Sequence, residues 1–205
     1  MRNMHLADAV AARRSVRAFV DRPVPRAIVE RAISLAVQAP APHHSQPWRF
    51  VLVESPEARE SLSRDMGDTW RSDLTFDGVP GDKIASILEK SHTLLTSTPL
   101  LVVCCADESR AHTYDDDRRR RAEHMLFAHA VGAALQTFMM ALAEEGVASC
   151  WISAPAFCGR TVARTLALSE KMEPHALVLV GYASPGYEPR ARPQPDPGDF
   201  IIGVS

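Results

Sequence analysis

Nowhere in its 205 residues does the chain carry a Gly-x-Ser-x-Gly elbow, a phosphate-binding loop or a dinucleotide fingerprint. Surplus charge is also lacking. Lys and Arg number 23 against 25 Asp and Glu, for a net charge of −2, so there is no global pull toward nucleic acid or anionic membrane. The four cysteines (Cys104, Cys105, Cys150, Cys158) form no Cys-x-x-Cys pair and sit in or near apolar segments. Reduced, buried thiols of a cytoplasmic protein are therefore expected. The opening "MRNMHLADAV" has neither a long apolar core nor a cleavage motif, so no signal peptide is expected. Internal repeats and low-complexity blocks are absent as well.

What is present is one domain's worth of alternating helix and strand patterns, with 46% hydrophobic residues to build a core. "MHLADAVAARR" reads as a first helix with Leu6, Ala9 and Val10 on one face. "PVPRAIVERAISLAVQA" reads as a second, with a stripe of Ile28, Ala32, Leu35 and Ala36 and Pro25 in its first turn. Helices are expected over 57–76 and 82–92, with Gly78, Pro80 and Gly81 as the break between them. "WRFVLVE", "PLLVVCCA", "VASCWIS" and "HALVLVGYA" read as strands, and "PAFCGRTVARTLAL" as a short helix. A long helix begins in "YDDDRRRR" and stops at Gly146. Its stretch from Met125 to Ala143 is apolar enough to span a bilayer. His129, Gln136, Thr137 and the many alanines instead suggest a helix buried on all sides within protein. The order of elements points to an α+β layered domain.

After Gly181, "YASPGYEPRARPQPDPGD" carries five prolines and then the apolar "FIIGV". Such a stiff arm suits neither helix nor central strand. It suggests a segment lying across a neighbouring subunit.

Each candidate for chemistry has a plainer reading beside it. In "RRSVRAF", Arg13, Arg14 and Arg17 surround Ser15 where the first helix should end. They either offset the helix dipole or grip a phosphate, for which guanidinium is well shaped. Arg190 and Arg192 in "EPRARP" form a second basic pair, or a solvated linker. The run "DDDRRRR" (115–121) is expected to pair internally at helical spacing, which argues against nucleic-acid binding. "APAPHHSQPWRF" (39–50) sets His43 and His44 between prolines. A metal site, an acid-base pair and a rigid rim for a flat ligand all compete there. Adjacent residues of an extended loop point apart, so no metal site is expected. Cys150 lies in an apolar run, which opposes a nucleophilic role.

Taken in order, "RRSVRAF", "APAPHHSQPWRF", "GVASCWIS" and "GYASPGYEPRARP" resemble the FMN-dependent nitroreductase superfamily. With "WRSDL" and "RRAEHMLF" added, the chain resembles more narrowly the C-terminal domain of the bifunctional coenzyme F-420:glutamate ligase. The resemblance implies a single domain over 1–205. Its fold would be a nitroreductase-like sandwich, with a mainly antiparallel sheet between helices. It also implies a domain-swapped homodimer exchanging the arm 184–205. FMN is the implied cofactor, contacted by Arg13, Arg14, Ser15, Val16, Arg17, Pro40, Ala41, Pro42, His44, Ile152, Ser153, Arg190 and Arg192. Ala41, His43, Arg71 and Asp73 are implied to border the substrate, and His44 is the candidate catalytic residue. The implied reaction is ping-pong hydride transfer from NAD(P)H or a reduced deazaflavin. The acceptor would be conjugated: dehydro-F-420-0, a nitroaromatic, a quinone or an activated alkene. A protein that merely holds a flavin or deazaflavin is the alternative.

Overall fold

The structure is a computed structural model and describes residues 5–203. Met4, expected to open the first helix, and residues 204–205 of the arm lie outside that range. The elements run α1 (Leu6–Ala12), α2 (Arg26–Ala36), β1 (Trp48–Val53), α3 (Pro56–Phe76), α4 (Gly81–Ser97), β2 (Leu100–Asp107), α5 (Asp117–Glu144), β3 (Ala148–Ile152), α6 (Gly159–Thr165) and β4 (Met172–Gly181).

The four strands pair antiparallel in the order β1-β2-β4-β3. β2 and β4 are central and buried on both faces, which is why their sequences read as continuous apolar runs. Side chains alternate between two cores. Val102, Cys104, Ala106, Val178 and Val180 face α2 and α5, where Phe127, Leu135 and Phe138 are fully buried. Leu101, Val103, Cys105, Leu177 and Leu179 face the other way, against Leu62 and Met66 of α3 and Val162 of α6. Each fully buried Leu or Phe contributes about 1.5–3 kcal/mol to this α/β/α sandwich.

Local chemistry fixes the boundaries. Ser55 caps α3 by accepting from the Ala58 N–H at 3.1 Å, and Asp116 caps α5 by accepting from the Arg119 N–H at 2.9 Å. α5 ends in a left-handed Gly146 (φ 71°), with the Val147 N–H reaching back to the Leu142 carbonyl at 2.9 Å. The expected helix over 155–168 is split into a 3₁₀ turn (Ala154–Ala156) and α6, and the chain leaves α6 through Ala167 at φ 50°.

Two expectations about burial are corrected. The inward stripe of α2 is Val29, Ala32 and Ala36, whereas Leu35 is 48% exposed. α5 is not buried all round. It packs on the sheet and α2, but Met125, Leu126, His129 and Gln136 stay exposed along one flank. Half of its most apolar window is buried, as in the core helix of a layered domain. Within "DDDRRRR", Arg119 pairs with Asp116 and Arg120 with Asp117, each three residues apart.

The N-terminal segment after α1 is stitched to the sheet. Val16 donates to the Ser149 carbonyl at 3.0 Å, Val20 to Tyr182 at 2.9 Å, and Ser184 to Ala18 at 3.0 Å. Gly181 permits this crossing, since a Cβ there would meet Phe19 at 2.8 Å and the Pro99 ring at 3.0 Å. Gly181→Ala is therefore expected to cost about 1–3 kcal/mol, read as a lower midpoint in thermal unfolding followed by circular dichroism. An unchanged midpoint would mean that the Phe19 ring swings aside freely.

Candidate active site: an arginine cluster and a strained histidine corner

The two ends of the chain meet at one corner of the sheet. Ser15 bridges to Ser149 at the start of β3, which sets Arg13, Arg14 and Arg17 beside that strand. The arm returns to the same place. Arg192 donates to the Val10 carbonyl at 3.1 Å and also to the Arg13 carbonyl, while Arg14 donates to the Arg190 carbonyl. Arg14 and Arg192 thus act as main-chain clamps. No ion pair with a carboxylate engages Arg13, Arg14, Arg17, Arg190 or Arg192 among the described residues. Partial burial, and then the charges of Arg192 and Arg14, push the Arg13 guanidinium below its ordinary pKa. Cations crowded together without a counter-charge favour an anion. A cleft of about 230 Å³ opens here, lined by Arg13, Arg14, Val16, Ser149, Tyr187 and Pro189 among others.

Cys150 lies beneath this cluster. Burial raises its thiol pKa, against the opposing influence of Arg17, Ser15 and Arg13. Burial also pushes Cys104 well up and Cys105 up to about 12, so neither is a thiolate near neutrality. Ile152 ends β3 and Ser153 follows it, leading into the turn that holds Cys158. Burial, and then the charge of Asp73, raises the Cys158 thiol, so Asp73, exposed on α3, lies near that turn. Arg71 is exposed on the same helix two residues earlier, on a different face.

The histidine corner is not the extended loop expected from its prolines. Residues Pro42–His44 form a 3₁₀ turn, and His43, His44 and Gln46 have φ of 53°, 54° and 47°. Left-handed backbone at a non-glycine residue costs on the order of 1–3 kcal/mol, and it persists only where surrounding structure imposes it. The surrounding structure is visible. Arg110 donates to the Ser45 carbonyl, Arg49 donates to the Gln46 carbonyl at 3.1 Å, and the Asp107 N–H donates to the Pro47 carbonyl at 2.7 Å. Arg49 is itself paired with Asp107 at 2.6 Å. Burial opposes ionisation of Asp107, but hydrogen bonds from Ser109 and the charges of Arg49 and Arg110 hold its carboxyl below the ordinary range.

His43 stacks on His112 with ring centroids 4.2 Å apart and planes at 14°, while buried Glu123 accepts from the backbone N–H of His112 at 3.0 Å. A carboxylate and a second imidazole therefore do approach His43, which spacing along the chain could not reveal. Nearly parallel stacked rings aim their nitrogen lone pairs side by side rather than at one point. His44 is exposed, free to meet a ligand from outside.

The two halves of the predicted site are not adjacent within one chain. The arginine cluster lies by β3 and the histidine corner by β1, at opposite edges of the sheet. Three inter-strand steps separate those edges, about 14 Å. The register carries Ser149 to the level just past Val53, while the corner adjoins Trp48. The offset along the strands is thus a further 20 Å or so, roughly six residues.

A family model, described as Nitroreductase family, matches residues 10–182. The Bacillus subtilis protein YfhC, named as a candidate NAD(P)H nitroreductase, is 24% identical over 190 residues, covering 91% of this chain and 89% of its own. Among solved structures, a BluB-like flavoprotein from Clostridium difficile 630 superposes with a TM-score of 0.77 at 19% identity, covering 99% of this chain and 100% of its own. The FMN- and NADPH-dependent nitroreductase NfnB, from a Sphigopyxis strain, superposes with a TM-score of 0.71 at 22% identity, covering 98% and 99%. With the family model spanning most of its length and the same sandwich found in these structures, the chain belongs to the nitroreductase family.

Proposed function

We propose that this protein is an FMN-dependent oxidoreductase that passes hydride to a conjugated small-molecule acceptor, working as a homodimer. The observation that carries the reading is the meeting of the Arg13–Arg17 segment with the arm at Arg190 and Arg192, none of these arginines engaged by a carboxylate in the described ion pairs, beside a cleft at the start of β3 lined by Arg13 and Arg14. That donor set fits a phosphomonoester. Arg13, Arg17 and Arg190 hold the phosphate, Ser15 and Val16 flank it, and Arg14 and Arg192 keep the arm in place. FMN, once bound, supplies the two-electron chemistry between a nicotinamide or deazaflavin donor and the acceptor. The protein's own part is to position both partners and to keep a flat wall against the ring.

The separation of the two half-sites supports the dimer. Flavin mononucleotide is shorter than the diagonal between the arginine cluster and the histidine corner, so a second copy must bring Pro40, Ala41, Pro42 and His44 to a ring anchored here. Leu6 and Val10 of α1, the open flank of α5, and Phe200, Ile201 and Ile202 of the arm are apolar and exposed, as a subunit contact requires. The arm is in two parts. Up to Arg192 it is clamped to its own chain, so exchange concerns only the residues beyond. β1 is an edge strand beside a cleft of about 530 Å³ lined by Ile33, Val37, Trp48 and Phe50, a fitting seat for an apolar tip.

His44 borders the acceptor and donates or orients a proton there, with His43 held against His112 behind it. His44→Ala is expected to leave flavin reduction by the donor unchanged and to slow the acceptor half-reaction at least about tenfold. Stopped-flow absorbance of each half separately is the check, and equal slowing of both halves removes His44 from the mechanism. The narrower acceptor, dehydro-F-420-0, rests on the motif resemblance alone, with Ala41, His43, Arg71 and Asp73 as its neighbours. Nitroaromatics and quinones fit the same ring-stacking geometry. The decisive experiment is an absorbance spectrum of the purified protein followed by anaerobic titration with NADH, NADPH and a reduced deazaflavin. A protein that stays colourless with added FMN ends the proposal. A yellow protein that turns over no acceptor makes it a flavin carrier.

A further inference from the structure

A second cluster of ionisable groups lies at the end of the sheet that carries the histidine corner, on β2 and β4, and is used by neither half-site. β2 ends at Asp107, and Glu108 follows directly, fixed by its N–H donating to the Lys171 carbonyl at 2.8 Å. Glu173 sits near the start of β4 opposite Ala106. The pairing then slips. Cys104 faces Ala176 and Cys105 faces Pro174, so His175 is the extra residue of a β-bulge. Bulges re-aim a side chain that strict alternation would send elsewhere. His124, in the second turn of α5, covers the group from above.

The distances have a definite pattern. His124 Nδ1 is 3.4 Å from Glu108 Oε1 and 3.2 Å from Glu173 Oε2, and His175 Nε2 is 3.5 Å from that same Oε2. Yet Glu108 Oε1, Glu173 Oε2 and His175 Nε2 are shielded from solvent and make no hydrogen bond. Orphaned polar atoms shielded from solvent are costly unless something satisfies them. The ligand atoms of Glu108, His124 and Glu173 all lie within 4.8 Å of one another. Ligands at about 2.0–2.2 Å from a tetrahedral ion stand roughly 3.3–3.6 Å from one another. The two His124 separations lie close to those edges, and neither pair forms an aligned hydrogen bond. Burial raises the Glu108 carboxyl, with Glu173 adding to the effect, while the His175 ring holds Glu173 low. Two carboxylates thus compete for too little positive charge.

We propose that Glu108, His124 and Glu173 form a binding site for a divalent transition cation of the zinc type, one ion per chain, with His175 positioning the Glu173 carboxylate from behind. An imidazole beside two carboxylates, with a fourth position left for water, suits Zn²⁺ or its neighbours better than Mg²⁺, which prefers oxygen ligands in octahedral array. His124 is about half exposed, which gives the ion an entrance from solvent. The bound ion ties the second turn of α5 to the bulged end of β4 and to the residue after β2, at the end of the sheet that carries the histidine corner. The cluster at His43, His112 and Glu123 is a neighbour, not a part of it, because its stacked rings do not converge.

The test is calorimetric titration of Zn²⁺ into the full-length, flavin-loaded protein near neutral pH, repeated with Mg²⁺ present. One saturable site per chain is expected, undisturbed by millimolar Mg²⁺. His124→Ala and His175→Ala are each expected to weaken binding at least about tenfold, and His112→Ala to leave it unchanged. Glu173→Gln, which keeps shape and hydrogen bonding, should weaken it to a similar degree, so misfolding of one histidine variant does not decide the matter. Zinc should raise the thermal midpoint of the parent and not that of these three variants. No saturable binding, equal competition by Mg²⁺, or binding lost in His112→Ala but kept in His124→Ala would each overturn the site.

Discussion

Alanine at Arg13 is expected to weaken FMN binding by about ten- to a hundredfold, the value of one or two charge-assisted hydrogen bonds to a phosphate. The reason lies in its surroundings. Arg13 is half-buried between Arg14 and Arg192, both of which spend their donors on main-chain carbonyls. The Arg13 side chain makes no hydrogen bond or ion pair of its own among the described residues, and burial, then the charges of Arg192 and Arg14, lower its pKa, a setting that an anion relieves. Flavin fluorescence quenching on the apo-protein reads the affinity directly. Riboflavin, which lacks the phosphate, provides the internal control: its weaker binding should be the same in parent and variant. An Arg13→Ala protein that holds FMN as tightly as the parent would refute the phosphate assignment. Arg192→Ala is expected to act differently, because it frees the arm from Val10 and Arg13 as well.

Deleting residues 193–205 is expected to convert the proposed dimer to monomer while leaving the arginine cluster of each chain intact. That deletion removes Phe200, Ile201 and Ile202, which are 73%, 73% and 91% exposed and have no seat on their own chain. Burying three such side chains against a partner contributes about 1.5–3 kcal/mol each, enough to shift a dimer equilibrium by several orders of magnitude. Light scattering behind size exclusion gives the mass. The shortened chain should also lose its flavin, since the wall at Pro40 and Pro42 then no longer reaches the ring. A longer deletion, 184–205, removes the Arg190 and Arg192 contacts too, so it abolishes binding even in a dimer forced by high concentration. A stable yellow dimer after the shorter deletion would contradict the exchange of the arm.

How far the sequence could be read depended on the range over which each feature is determined. α5 was legible because its start and stop are local: Asp116 caps it and Gly146 closes it. The four strands were legible because β2 and β4 are buried on both faces and carry unbroken apolar runs. Leu35 was misplaced because a stripe of period 3.6 leaves two candidate flanks, and contact with α5 chose Val29, Ala32 and Ala36. The flank of α5 left open by one chain could not be seen from composition, which reports apolarity and not partners. The helix after β3 was expected as one piece because nothing local marks the irregular turn at Cys158.

The candidate site divided along the same line. Arg13, Arg14, Ser15 and Arg17 are neighbours in sequence, but their meeting with Arg190 and Arg192 was implied only by the family resemblance, since a basic pair at each end of a chain does not by itself say that the ends touch. Arg49, Asp107 and Arg110 were missed, although they hold the histidine corner in place. Each acts through a main-chain atom or a partner distant in sequence, and a lone arginine on a strand carries no signal of that use. Glu123 and His112 were missed in the same way. His124 and His175 carried no signal in the sequence, because a one-residue slip in the pairing of β2 with β4, which aims His175 at Glu173, leaves no local mark.

The clamps on the histidine corner grip main-chain atoms and leave the ring of His44 out of the framework, whereas the ring of His43 is stacked on His112. Residue identity at His44 is consequently separable from loop shape. Asparagine, the side chain most at ease with a left-handed backbone after glycine, fits that position with a gain in local stability. If His44 borders the acceptor as proposed, acceptor preference can drift by exchange at that one position, with no accompanying repair elsewhere in the fold.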